Sequence, residues 1–319
     1  SDGRPIIGLT SIQLAEVVFG ISEECLLIPA HAWTPWYGLF GSMSGFASIA
    51  EAFGPYAAKI YAVDTGLSSD PAMNWRIKEL DNRSILSFSD AHSGPKLGRE
   101  ATVFVSDEKE ITYEDIKLAI MQKSNRWKVG YTIEFYPEEG KYHYSGHRAC
   151  NIRHSPDETK KLGTICPTCG KPVTIGVMHR VEELSGRNEE DLKLVKKEIP
   201  GTKVKGAYSD TFLNRPPYVK LVPLQEIISE AIDGMVTSDK VQSEYLKLVN
   251  EFGGEFNVLL KIAIAEISKI SGDKVAEGID KVRKGDIVID PGYDGVFGIV
   301  KLWGNEKEKL VDEDKKQLT

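Results

Sequence analysis

The chain has 319 residues, 41% hydrophobic and 27% charged, the balance of a folded globular protein and not of a disordered or collagenous one; at roughly 150 residues per domain it should form two domains, or three if one is a small metal-stapled module. Forty Lys and Arg against 47 Asp and Glu leave a net charge of −7, which excludes a chain that coats nucleic acid over its whole surface. Mean hydropathy is −0.25, and no window approaches the roughly 18 uninterrupted apolar residues of a membrane span, so no membrane association is expected.

Along the chain, residues 10–19 (TSIQLAEVVF) carry a cap candidate at Thr10 or Ser11 and apolar residues at helical spacing. Three short apolar runs follow, each ending in chemistry-bearing residues: CLLIPAH at His31, KIYAVDTG at Asp64, and SILSFSDAH at Asp90 and His92. Helix-length stretches, Met43 to Phe53 and Pro71 to Leu80, lie between them. Buried strands alternating with helices predict a parallel sheet or barrel, and α/β barrels place their chemistry at the carboxyl ends of the strands. Residues 111–123 read as a helix, and residues 126–147 hold two strand-like runs separated by the turn Pro137 to Gly140. From Val181 onward the chain reads as helical and charged, with a lysine-rich connector over 193–205 and helices over 224–232, 240–250 and 255–270. KGDIVIDPGYDGVFGIVKLW reads as two short strands about a turn, and the charged tail after Gly304 is expected to be loosely ordered.

Four cysteines, three of them between Cys150 and Cys169, are too few and too clustered for a secreted disulfide scaffold and fit a metal site in a reducing cytoplasm. Cys166-Pro167-Thr168-Cys169-Gly170 is a zinc-knuckle signature, half of a tetrahedral site. His147-Arg148-Ala149-Cys150 repeats the two-residue gap upstream and supplies the other half, with His154 as the competing fourth ligand. Four protein ligands leave no open position, so this zinc is expected to be structural. Asp90-Ala91-His92 presents two ligand types two residues apart; with His31 and Asp64 at neighbouring strand ends, a shared site for Zn, Mn or Fe is expected.

Two segments, PAHAWTPWY (29–37) and SDAHSGPKLGRE (89–100), resemble the later strands of a PHP (polymerase and histidinol phosphatase) domain. With GHRAC (146–150), CPTCGKPVTIGVMHRVEEL (166–184), RPPYVKLVPLQEII (215–228) and PGYDGVFG (291–298), the chain is similar, from about residue 1 to about residue 303, to endonuclease Q, a repair nuclease family. The resemblance implies an α/β fold: the C-terminal portion of a PHP-type (β/α) barrel over 1–123, a zinc-binding module over 124–186, and a mainly helical domain over 187–303 ending in a β hairpin, before the tail 304–319. It further implies a metal-dependent endodeoxyribonuclease that nicks damaged double-stranded DNA 5′ of deaminated bases (uracil, hypoxanthine, xanthine) or abasic sites. Carried over by motif, His31, Asp90 and His92 match metal ligands and catalytic positions of the PHP cluster, which takes Zn, Mn, Mg or Fe; Asp64 falls where family members place an acidic residue.

One departure accompanies the match. PHP domains open with a D-x-H-x-H motif, and none of the six histidines here (31, 92, 143, 147, 154, 179) lies upstream of His31. The first barrel strands are therefore expected to be absent from this chain, which alone should not complete a multinuclear cluster. Trp33, Trp36 and Tyr37, directly after His31, are candidates for stacking on DNA, with packing between domains as the alternative; Arg99 is a candidate phosphate clamp, and the 193–205 lysines with Arg215 candidate phosphate contacts. Two other readings stand beside the nuclease: a PHP phosphatase acting on a small phosphoester, and a non-catalytic zinc-ribbon protein that binds nucleic acid or a repair partner.

Overall fold

A computed structural model describes residues 7–304; the charged tail expected over 305–319 lies outside the described residues. The chain opens with α1 (Ser11–Ile21), started by a capping box in which the Thr10 hydroxyl accepts from the Gln13 amide and the Gln13 side chain accepts from the Thr10 amide. An extended segment over 26–30 then precedes α2 (Ile49–Phe53), β1 (Ala62–Asp64), α3 (Pro71–Trp75) and β2 (Ser84–Leu86). Strands β1 and β2 pair in parallel, Ala62 opposite Ser84 and Asp64 opposite Leu86. The Asp64 amide donates to the Pro29 carbonyl at 3.1 Å, which lays the 26–30 segment along the other side of β1. Two of the three expected strands form, β1 and β2; the CLLIPAH run is only partly buried and is no strand, and the expected helices shorten to Ile49–Phe53 and Pro71–Trp75, with Trp33, Phe40, Ile49, Trp75 and Leu80 packed in a core beneath.

The chain continues through β3 (Ala101–Val105), α4 (Tyr113–Ile120), β4 (Lys128–Glu134), β5 (Ser145–His147), β6 (Ile152–His154), α5 (Pro156–Leu162) and α6 (Val177–Leu184). Next come β7 (Leu194–Glu198), β8 (Lys205–Ser209) and β9 (Tyr218–Lys220), and then the helices α7 (Leu224–Ala231), α8 (Asp239–Phe252), α9 (Glu255–Leu260) and α10 (Ile264–Lys284). Strands β10 (Val288–Asp290) and β11 (Ile299–Lys301) form the expected terminal hairpin.

Two expectations are corrected by this arrangement. The stretch 187–222 is β structure, not helix: the lysine-rich segment over 193–205 is no connector but the β7–β8 hairpin, in which Lys196 pairs with Ala207 and Glu198 with Lys205. The segment Leu194–Glu198 is exposed except at Val195, so no apolar alternation marks it as a strand. The two strand-like runs of 126–147 also separate, β4 entering a five-stranded sheet in the order β3-β4-β9-β8-β7 while β5 pairs with β6. That sheet draws strands from all three stretches the sequence divides into units. A second core, around Ile133, Val219, Leu224, Ile227, Val258 and Ile279, seals the helices against it.

Candidate metal centre and strand-end site

The His147, Cys150, Cys166 and Cys169 ligand atoms all lie within 4.8 Å of one another, the one such group of His, Cys, Asp or Glu among the described residues. Strand β5 delivers His147, and the turn after it, closed by Asn151 in the left-handed region, delivers Cys150. Across from them the 164–173 loop folds back on itself: the Cys166 amide donates to the Lys171 carbonyl at 2.8 Å, and the Gly170 amide to the Cys166 carbonyl at 2.9 Å with Gly170 at φ 72°. His147 Nδ1 sits 3.6 Å from Cys169 Sγ. Burial opposes ionisation of Cys166, but the Cys169 and Thr168 amides outweigh it and draw the thiol below its ordinary value. Three sulfurs and one imidazole at this spacing suit a tetrahedral ion at Zn–S and Zn–N distances of roughly 2.3 and 2.0 Å. His154, the alternative ligand, is turned away: it is 6% exposed on β6, outside the group.

The second site is built at the ends of β1 and β2. His31 and Asp90 both hold positive φ, 35° and 45°, a conformation that costs non-glycine residues energy and clusters at functional loops. Gly66 at φ 55° makes room for the first of them; a Cβ there would lie 2.6 Å from both Cα and Cβ of His31. Asp64 ties the site together: one oxygen accepts from the His31 amide at 2.8 Å and the other from the Phe88 amide at 3.0 Å. Burial raises its pKa against the pull of those amides. His31 Nδ1 lies 3.1 Å from Thr34 Oγ1, and exposed His92 has Nδ1 2.8 Å from the Asp90 carbonyl. His31, Asp64, Asp90 and His92 therefore share one end of the sheet, but no three of them come together as a metal-ligand group among the described residues.

Other expected contacts are redirected. Trp33 is 1% exposed and donates from Nε1 to Asn74 Oδ1 at 2.8 Å, a core residue and not a DNA contact. Trp36, 41% exposed, meets Tyr142 of the metal-binding module edge-on at 5.0 Å, while Tyr37 is 84% exposed. Arg99 donates from Nε to the Ser89 carbonyl at 2.8 Å and from Nη2 to the Asp90 carbonyl at 3.2 Å, bracing the Asp-x-His loop itself. Arg215, 8% exposed, is spent on the Arg83 and Leu80 carbonyls and is no phosphate contact.

Sequence reasoning missed a set of buried carboxylates beneath the loops. Glu134 at the end of β4 accepts from Thr65 Oγ1 at 2.9 Å and Ser87 Oγ at 3.2 Å, and also from the Thr132 hydroxyl, so it pins the residues that follow β1 and β2. Glu100 accepts from the Phe135 amide at 3.2 Å, and its other oxygen is buried without a partner. The one signal in the sequence was a lone acid inside the apolar run VGYTIEFY. Burial, and for Glu100 the Glu134 charge next, holds both carboxyls far above the ordinary 4.5, Glu134 near 8. A raised folded-state value means that this stability is complete below pH 4.5 and is lost as pH rises toward 8. We expect thermal stability to fall as pH rises from 6 to 8, and Glu134→Gln to reduce that slope, with Glu100 supplying the remainder; a melting series in which the variant keeps the wild-type slope would remove Glu134 as a source.

Comparison with known proteins places these features. Residues 223–286 match the family described as MJ0043 C-terminal domain. The chain is 37% identical over 277 residues to the uncharacterized protein MJ0043 of Methanocaldococcus jannaschii, covering 85% of this chain and 31% of that one. It is 31% identical over 301 residues to the uncharacterized protein YqxK of Bacillus subtilis, covering 92% of this chain and 67% of that one. The lesion-specific endonuclease PfuEndoQ of Pyrococcus furiosus superposes with a TM-score of 0.76 at 30% identity, over 97% of this chain and 71% of its own. Endonuclease Q in complex with a 27-mer duplex substrate carrying an abasic lesion at the active site gives a TM-score of 0.75, also at 30% identity, over 96% of this chain and 69% of its own. The mixed α/β architecture expected from the motifs is present, with a Cys/His group that could hold zinc, and the chain belongs to the endonuclease Q family.

Proposed function

We propose that this chain carries the lesion-binding part of a metal-dependent DNA repair endonuclease that cuts damaged double-stranded DNA 5′ of deaminated bases or abasic sites. One observation carries the reading: 97% of the chain superposes on a lesion-specific endonuclease with a TM-score of 0.76 at 30% identity. In this reading 1–123 and 124–186 act as strand-end and zinc-binding units and 187–303 as a third unit, helical only from α7 onward, all bridged by the five-stranded sheet. His31, Asp90 and His92 serve as metal ligands and catalytic positions, Asp64 fixes the backbone they stand on, and the divalent ion supplies Lewis acidity when bound. His147, Cys150, Cys166 and Cys169 hold a structural zinc. Trp36 and Tyr37, exposed beside His31, are the aromatic contacts open to DNA. No described helix is long and apolar enough to cross a membrane.

The test is binding and nicking of otherwise identical duplexes with uracil, an abasic site or cytosine at one position, with manganese added for the nicking arm. Tighter binding of the lesion duplexes supports the reading whether or not nicking follows. Equal affinity for lesion and cytosine duplexes, or release of phosphate from a small ester instead, would sink it.

A further inference from the structure

A cavity of about 320 Å³ opens between the β7–β8–β9 part of the sheet and the end of α10, and its walls carry one sign of charge: Lys196, Lys205, Lys220, Arg283 and Lys284 contribute to them, and no Asp or Glu of the described residues does. Three of these cations are committed elsewhere. Lys220 meets Asp70 and Glu138, Arg283 donates to the Val258, Leu259 and Ile262 carbonyls, and Lys284 pairs with Asp280. The ammonium groups of Lys196 and Lys205 have no hydrogen-bond or ion-pair partner among the described residues, although Glu198 stands opposite Lys205 in the ladder. Lys196 Nζ reaches the carboxyl end of α10, where a Cβ on Gly285 would lie 3.3 Å from it, but the Lys281 and Val282 carbonyls there already accept from the Gly285 amide.

The two free lysines are placed as a pair. Lys196 stands opposite Ala207, and Lys205 lies two residues before Ala207 on the same strand, so both side chains leave the same face of the sheet as diagonal neighbours, roughly 7–8 Å apart at the backbone. Like charges so placed repel until one anion bridges them. A phosphate monoester, with about two negative charges at neutral pH and three strong acceptor oxygens, satisfies both at once. Beside the lysines the walls include Ala207, Val282, Ile287 and Ile289, apolar side chains that accept a flat ring without reading its edges. The volume lies at the lower end of the roughly 300–1,000 Å³ of small-molecule sites. We propose that this cavity binds a free nucleoside monophosphate, its phosphate bridged by Lys196 and Lys205 and its base laid on the apolar walls. None of the walls comes from the loops that carry His31, Asp64 or Asp90, and the inference goes beyond the endonuclease reading without depending on it.

The experiment is isothermal titration calorimetry of the 319-residue chain with AMP, adenosine, inorganic phosphate and a 5′-phosphorylated trinucleotide that begins with the same adenosine. AMP should saturate one site, and adenosine and inorganic phosphate should each bind about tenfold more weakly or worse, since each keeps only half of the contact. Lys196→Gln and Lys205→Gln should each weaken AMP about tenfold, and added salt should weaken the wild type. Lys197→Gln is the control: it stands on the other face of β7, paired with Asp210, and should leave AMP affinity within about twofold. The assignment is overturned by no AMP binding up to about 5 mM, or by inorganic phosphate binding as tightly as AMP, and neither comparison needs a variant to fold. Unchanged affinity in both Lys196→Gln and Lys205→Gln, or an equal loss in Lys197→Gln, overturns it as well. A trinucleotide that binds more tightly than AMP would move the ligand from a free nucleotide to the end of a strand, and that too defeats the proposal.

Discussion

Replacing Cys166 with Ser is expected to release the zinc and unfold the ribbon from about residue 145 to 174. Cys166 is the innermost of the four ligands, 1% exposed, and no other cysteine among the described residues lies near enough to take its place. Little apolar burial supports the ribbon: 160–172 is exposed almost throughout apart from Cys166 itself. Small modules of this kind draw their folding free energy from the metal, with apparent values of roughly 10–16 kcal/mol in zinc-finger peptides, so losing one thiolate removes most of what orders the loop. The damage should also travel. Asp294 in the terminal turn accepts from the Arg148 amide at 2.7 Å and from Thr174 Oγ1 at 2.6 Å, and the Tyr144 amide donates to the Gly292 carbonyl at 2.9 Å, so the β10–β11 hairpin is clasped to the ribbon. Metal analysis should find one zinc per wild-type chain and close to none in the variant, with new protease cleavage in both 155–172 and 291–298. A variant that keeps its zinc, or a wild type that never holds any, would contradict the structural role. His154→Ala should keep the metal, since the ring stands outside the ligand group.

The contrast between these two sites explains how far the sequence could be read. The Cys/His centre is local and chemically rare: two pairs with the same two-residue gap specify a site whatever the rest of the chain does, and all four residues come together. Short parallel strands were legible for a similar reason, since a continuous apolar run that stops at polar residues is what a strand buried on both faces requires. What could not be read was partnership across the fold. Arg99 and Arg215 look like free cations until the carbonyls they hold are in place, and Trp33 looks like a DNA contact until Asn74 is found under its indole. The β7–β8 hairpin was hidden because an exposed strand buries too little to show an apolar stripe: Leu194, Lys196, Lys197 and Glu198 are all exposed. A surface strand of that kind is defined by the neighbour it pairs with, which lies outside any local window.

Lys220 belongs to the same class of hidden residues, and its removal should give the largest stability loss of any single change outside the metal centre. The side chain rises from β9 into a site where Nζ meets Asp70 Oδ2 at 2.9 Å and Glu138 Oε1 at 3.2 Å, with 21%, 8% and 20% of the three side chains exposed. Asp70 caps α3 through the Met73 amide, and Glu138 stands in the Pro137–Glu139 turn between β4 and β5, so one ammonium joins three parts of the fold. Burial opposes its charge, but the two carboxylates outweigh that cost and hold Lys220 well above its ordinary value of 10.5. A raised lysine value contributes stability that is fully present below 10.5 and lost only above it, so the effect should not vary between pH 6 and 9, unlike the Glu134 slope. Lys220→Met leaves two carboxylates in a dry site beside a Glu138 oxygen that already lacks a partner. Breaking such a pair costs about 3–5 kcal/mol, whereas removing both members is far milder. Urea unfolding should therefore show a large loss for Lys220→Met and a partial recovery when Asp70→Asn is added, because Asn still caps α3 while carrying no charge. A Lys220→Met midpoint corresponding to less than about 1 kcal/mol of change, or a double variant weaker than the single one by the full cost of losing Asp70, would show that the three charges are not coupled; the expected recovery would mark Lys220 as the ionic joint between the strand-end loops and the zinc ribbon.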